Sequence, residues 1–201
     1  MLPVTFMKIL ITTAVSLFLA VMAAAQQTAP LQLQEKDALR YMREEEKLAR
    51  DIYDSIFSRW GGNPFDHIWK SEQTHMDRLK PLFATYQLTD PVAATNDKTG
   101  KFVNADLQNI YDSLISISSR SYADALRTGA YVEELDILDL EARIKQTQHE
   151  DIISVYNCLL HASEQHLRAF TQHLKKQGIS YKPVLLDNAR FDAIISKAPE
   201  R

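Results

Sequence analysis

Six acidic or imidazole side chains fall where helical periodicity expects apolar ones: Glu46, Glu72, His75, Glu133, Asp136 and His166. At about 100° per residue, Leu39, Met42, Ala49, Tyr53 and Ile56 share one face, and Glu46 lies inside it. Ile68, Met76, Leu79 and Phe83 form a second stripe that takes in Glu72 and His75, which are three apart and therefore neighbours on one turn. A third stripe, Leu126, Ala130, Ile137, Leu140 and Ile144, has Glu133 at its centre, Asp136 on one flank and Glu134 on the other. A fourth, Ile152, Val155, Leu159, Ser163 and Phe170, includes His166. Burying an unpaired carboxylate costs several kcal/mol even after relaxation, and facing carboxylates also repel. A core carrying this set therefore calls for positive charge at its centre. Two iron ions, with manganese or a mixed pair as the other options, suit carboxylate and imidazole donors. Metal-binding four-helix bundles use a Glu from each of two helices and Glu-x-x-His from each of the other two. Glu44 and Lys47 point away from the first stripe and Glu45 lies at its edge, while His67, His149, His161 and His173 read as surface residues.

The elements that must position these residues are helices, because glycine and proline are scarce and long segments repeat apolar residues at three and four positions. The pattern predicts an all-α protein. A first long helix runs from Glu35 to Ser58 and stops at Gly61-Gly62. A second starts with Asn63 as cap and Pro64 in its first turn, and reaches Tyr86 with Pro81 kinking it. Residues 88–104 carry turn chemistry, and a short helix over 105–117 completes this long connection. A third long helix starts at Ser121, and a fourth starts at a Thr147/Glu150 capping box and ends at Gly178. The tail from Ile179 has apolar patches suited to packing on the helices.

Lys8, an apolar run from Ile9 to Val21, and Ala23-Ala24-Ala25 read as a secretory signal, residues 1–25, followed by a linker over 26–34. Cleavage would leave a periplasmic or secreted chain with no stable membrane association. About 175 residues would remain, sufficient for one core spanning 35–177 plus the tail 178–201. The formal charge is −3, with 23 basic and 26 acidic residues interspersed, which argues against a nucleic-acid partner. Cys158 is the single cysteine, so no disulfide closes within the chain and packing must hold the fold.

Four segments in order resemble a bacterial and archaeal family of ferritin-like proteins, domain of unknown function 2202: REEEKLARDIY from Arg43, SEQTHM from Ser71, GAYVEELDILDL from Gly129 and SEQHLRAF from Ser163. The resemblance implies a ferritin-like four-helix bundle, with a long connection between its second and third helices, and kinship with rubrerythrins and ferritins. Those proteins pair a Glu with a Tyr seven residues later, matched by Glu46 and Tyr53, and have Glu-x-x-His, matched by Glu72 and His75. Rubrerythrins carry two carboxylates three apart, matched by Glu133 and Asp136. The fourth helix departs from the pattern: Ser163 stands where a Glu is expected before His166. Asp136, or failing it Glu134, is the replacement on offer. Without one the site is open, asymmetric or singly occupied.

The expected function is an exported di-metal, di-iron carboxylate oxidoreductase that reduces peroxide or dioxygen or oxidises ferrous iron. Glu46, Glu72 and His75 would hold one ion and Glu133, Asp136 and His166 the other, with Tyr53 acting beside the metals. No rubredoxin-like cysteine set occurs, so an electron donor would be a separate protein. The rival expectations are a non-catalytic metal-binding or storage protein of the cell envelope and a metal-free helical interaction module. A homodimer is left open.

Overall fold

The structure is a computed structural model and describes residues 30–197. The expected signal, residues 1–25, and residues 26–29 of the linker lie outside the described residues. The described residues form seven helices and no strand: α1 (Leu33–Trp60), α2 (Phe65–Thr85), α3 (Pro91–Ala94), α4 (Ala105–Ser118), α5 (Tyr122–Ile144), α6 (Glu150–Lys176) and α7 (Asn188–Ile195). None of them is long and apolar enough to cross a membrane. The long helices pack mainly as α1 on α2 and α5 on α6, with α1 also meeting α5 and α2 meeting α6.

Local signals account for the boundaries. Glu35 reaches back to accept the Gln32 amide at 2.8 Å, which satisfies one of the free N–H groups at the start of α1. Gly61 stops that helix at φ 65°, a conformation that excludes most other residues. Ser121 caps α5 by accepting the Asp124 amide at 3.0 Å, as its spacing predicts. At α6 the expected box does not form. Thr147 lies outside the helix and gives its hydroxyl to Glu35 at 2.7 Å, leaving His149 at the cap position. Asn63 likewise does not cap α2, because Pro64 occupies that position. Pro81 lies inside α2, which continues to Thr85. The connection holds one helix more than expected, the single turn α3, capped by Asp90. The tail forms α7, which packs on α6.

Two apolar layers make the core. One gathers Ile52, Phe65, Leu126 and Phe170, the other Leu39, Met42, Leu79, Leu140 and Ile152. In α1, α2 and α6 the polar residues singled out by periodicity fall between the stretches that supply these layers, so the site lies at mid-length with apolar packing on both sides. α5 and α6 approach closely at Gly129, where a Cβ would fall on the Phe170 ring.

Candidate metal centre

α1 contributes Glu46, α2 contributes Glu72 and His75, α5 contributes Glu133 and α6 contributes His166. The Glu46, Glu72 and Glu133 carboxylates and the His75 ring are buried, and the His166 side chain is 11% exposed. His75 Nδ1 lies 3.0 Å from Glu46 Oε2 and 2.6 Å from Glu72 Oε2. His166 Nδ1 lies 2.8 Å from Glu72 Oε1 and 3.5 Å from Glu133 Oε1. The two imidazoles face each other at 5.7 Å, tilted by 21°. Two groups of potential ligands result, Glu46, Glu72 and His75 in one and Glu72, Glu133 and His166 in the other, and Glu72 belongs to both.

The hydrogen bonding inside this cluster is incomplete. Glu46 Oε1, Glu72 Oε1, Asp136 Oδ1 and His166 Nδ1 are sealed from solvent without a hydrogen-bond partner among the described residues. The 2.8 Å approach of His166 to Glu72 is not aligned as a hydrogen bond, so the two donor atoms converge without satisfying each other. Buried polar atoms in native proteins are nearly always paired. A cation between them would meet that demand, and carboxylate with imidazole is a donor set suited to iron or manganese.

Without a metal, the imidazoles offset only part of the carboxylate charge in the cluster. Burial would push the His75 ring toward neutrality, but Glu72 and Glu46 outweigh it and raise its pKa to about 12. Burial acts in the same direction on His166, and Glu72 and Glu133 raise it to about 10. Burial drives Glu46 up to about 7 against the pull of His75. Glu72, set between both rings, overcomes its own burial and is held well below the usual carboxylate range.

Residues behind the cluster orient it. Tyr53 donates to Glu133 Oε1 at 2.6 Å and also contacts the Gly129 carbonyl at 3.3 Å. Ser71 Oγ lies 3.3 Å from His75 Nε2. Asp136 stays outside both tight groups although Glu46, Glu133 and Glu72 all act on it, and Ser163 donates to its Oδ2 at 2.5 Å. Periodicity places Ser163 on the inner face but gives it no partner. Glu134 turns away: it accepts the Tyr181 hydroxyl and the amides of Val184, Leu185 and Leu186. Glu45 is more deeply placed than an edge position suggests. Among the described residues neither of its oxygens meets a hydrogen-bond donor, and burial, then Asp136 and Asp139, push its carboxyl well above the usual range. His149, expected at the surface, is half-buried with its Nδ1 3.2 Å from the Tyr86 hydroxyl.

Helical pairing and a mid-length cluster of buried acids and imidazoles define the class: an all-α protein with a candidate di-metal cluster. The chain belongs to the family described as "Uncharacterized protein domain (DUF2202)", whose model matches residues 35–198. It is similar to the "Uncharacterized protein MJ0754" of Methanocaldococcus jannaschii, 42% identical over 172 residues that cover 86% of this chain and 92% of the relative. The solved crystal structure of hypothetical protein MJ0754 from Methanococcus jannaschii superimposes with a TM-score of 0.82 at 42% identity, covering 86% of this chain and 97% of that one.

Proposed function

We propose that the chain is a ferritin-like di-metal carboxylate protein, related to rubrerythrins and ferritins, that holds two iron ions and uses them to reduce peroxide or dioxygen or to oxidise ferrous iron. The observation that carries this reading is the sharing of Glu72 between two acid and imidazole groups, each with a buried ligand atom left unsatisfied. Glu46, Glu72 and His75 would hold one ion, and Glu72, Glu133 and His166 the other. Asp136, which accepts the Ser163 hydroxyl, would take the place of the absent fourth-helix carboxylate.

Bound iron would supply one-electron steps and an electrophilic centre for oxygen or peroxide. The chain's residues supply the rest. Tyr53 donates to Glu133 and so fixes that carboxylate, which places a phenol directly against the cluster. The apolar layers on either side exclude bulk water. Electrons would come from a separate donor protein, outside the cytoplasm if residues 1–25 act as a signal. The burial of Glu46, Glu72, His75 and Glu133 supports a second reading, a metal-holding protein of the cell envelope without turnover.

Anaerobic ferrous loading, quantified per chain and followed by addition of peroxide or dioxygen, separates these readings. About two ions per chain are expected from the donor set, with rapid loss of the oxidant. Two ions without oxidant loss would support the storage reading. Less than about one ion per chain, with stability indifferent to a chelator, would exclude the metal site. Replacing the shared carboxylate, Glu72→Gln, should abolish both ions, whereas His75→Ala should spare the partner site.

A further inference from the structure

On the other side of α6 a cavity of about 560 Å³ opens between that helix, α7 and the tail. Its size is that of small-molecule sites, which combine apolar walls with a few placed polar groups. Arg168 lines it and is only 5% exposed. One Nη1 hydrogen of Arg168 goes to the Ile194 carbonyl near the end of α7, at 3.2 Å. The guanidinium has five N–H donors, and among the described residues it forms no ion pair and no other side-chain hydrogen bond. Glu164, one turn earlier on α6, is already held by Arg190 at 2.6 Å and Lys197 at 2.8 Å. A largely buried guanidinium that finds no counter-charge among the described residues is costly, and the cavity that Arg168 lines is where an anion could reach its remaining donors. Lys175 adds a second positive charge and Ser180 a hydroxyl at the same cavity, while Ile179, Phe191 and Ile195 are apolar. Tyr181 presents only its ring, because its hydroxyl is spent on Glu134 at 2.6 Å.

We propose that this cavity binds a small carboxylic acid with an apolar body, a short aliphatic or aromatic acid. The carboxylate would take the spare N–H groups of Arg168 in the paired geometry that guanidinium offers and carboxylate matches. Its apolar body would lie against Ile179, Phe191 and Ile195. Because α7 forms one wall, occupancy would tie the tail more firmly to α6. The proposal does not depend on the metal reading.

The test is calorimetric titration of the metal-loaded chain with hexanoate and benzoate, with hexanol as the neutral counterpart and inorganic phosphate as the anion without an apolar body. Both acids should bind, hexanol and phosphate each at least tenfold more weakly. Lys175 is exposed, so Lys175→Glu will fold and should weaken the acids at least fivefold, which locates binding in this cavity rather than at the metals. Arg168→Gln should abolish acid binding and leave the metal content unchanged. Equal binding of hexanol, absence of acid binding, or affinity unchanged by Lys175→Glu would each overturn the proposal. Preferential binding of phosphate would overturn the apolar part of it.

Discussion

Ser163 stands where the proposed ferritin-like reading expects a fourth carboxylate, and its hydroxyl instead reaches across to Asp136 from the neighbouring helix. A short polar residue there makes room for an acid supplied by α5. On the proposed function Ser163→Ala should weaken the ion on the His166 side by about 10-fold to 100-fold, the range for loss of a partner that orients a ligand. Competition with a chromogenic chelator measures it, and an affinity unchanged within error would mean that Asp136 is no ligand. Tyr53→Phe removes the hydrogen bond to buried Glu133 and should cost about 1–3 kcal/mol in the metal-free chain, read from denaturant unfolding. Gly129 is set by geometry alone. Any side chain there must displace the Phe170 ring, so Gly129→Val should destabilise by about 1–3 kcal/mol or more, seen as a lowered Tm.

At the scale of elements, the polar half of the Arg43 to Tyr53 segment holds the connection between α2 and α5. Arg43 pairs with Asp90 at 3.0 Å and donates to the Met76 carbonyl at 2.7 Å. Glu44 accepts the Asn104 amide at 3.1 Å. Lys47 is fully buried, bound to Asp51 and to the Lys98 carbonyl, with Phe102 beneath its ammonium at 4.6 Å. Arg50 joins Asp51 at 2.8 Å and Asp97 at 2.6 Å, and Asp51 also accepts the Gly100 amide at 2.9 Å. One helix therefore has two buried faces: Glu46 and Tyr53 look inward, while Arg43, Glu44, Lys47, Arg50 and Asp51 bind loop backbone and loop acids. Removing one partner from such a network leaves a buried charge uncompensated. Lys47→Met and Asp51→Leu should each cost about 3–5 kcal/mol, and the two together much less than their sum. Urea titration of the three variants tests the coupling, and simple additivity would mean that these charges act independently.

For the molecule as a whole, the tail is fastened by acids on α5 and α6. Glu134 receives three consecutive amides of the tail, and Glu164 takes Arg190 and Lys197. Burial alone would raise the Glu164 carboxyl, but its bonds to Lys197 and Arg190 outweigh this and hold it below its ordinary value. Its folded pKa is thus lower than the unfolded one. The stabilisation is fully present above the unfolded carboxylate value of about 4.3 and is lost as pH falls toward the folded one. Amide exchange in residues 182–197 should therefore accelerate below about pH 4, before the long helices respond. In Glu164→Gln the same residues should exchange faster at neutral pH and show a weaker acid dependence.

The long helices and the inward placement of Glu46, Glu72, His75, Glu133 and His166 were legible in the sequence, because helical period and side-chain polarity are properties of consecutive residues. The same period places Glu134, Glu45 and Lys47 only by angle around one axis. The groups that Glu134 and Glu45 face lie on the tail and on α5, and Lys47, besides Asp51 one turn along, meets the α2–α5 connection, all tens of residues away in sequence apart from Asp51. Thr147 and Ser163 show the same limit: each has a local pattern, and each spends its hydroxyl on an acid from another helix. Spacing alone determined which side chains share a face. Only the tertiary structure decided which of them meet, that Glu72 shares His75 with Glu46 and His166 with Glu133, and that Glu134 serves the tail, since those contacts depend on where distant segments come to rest.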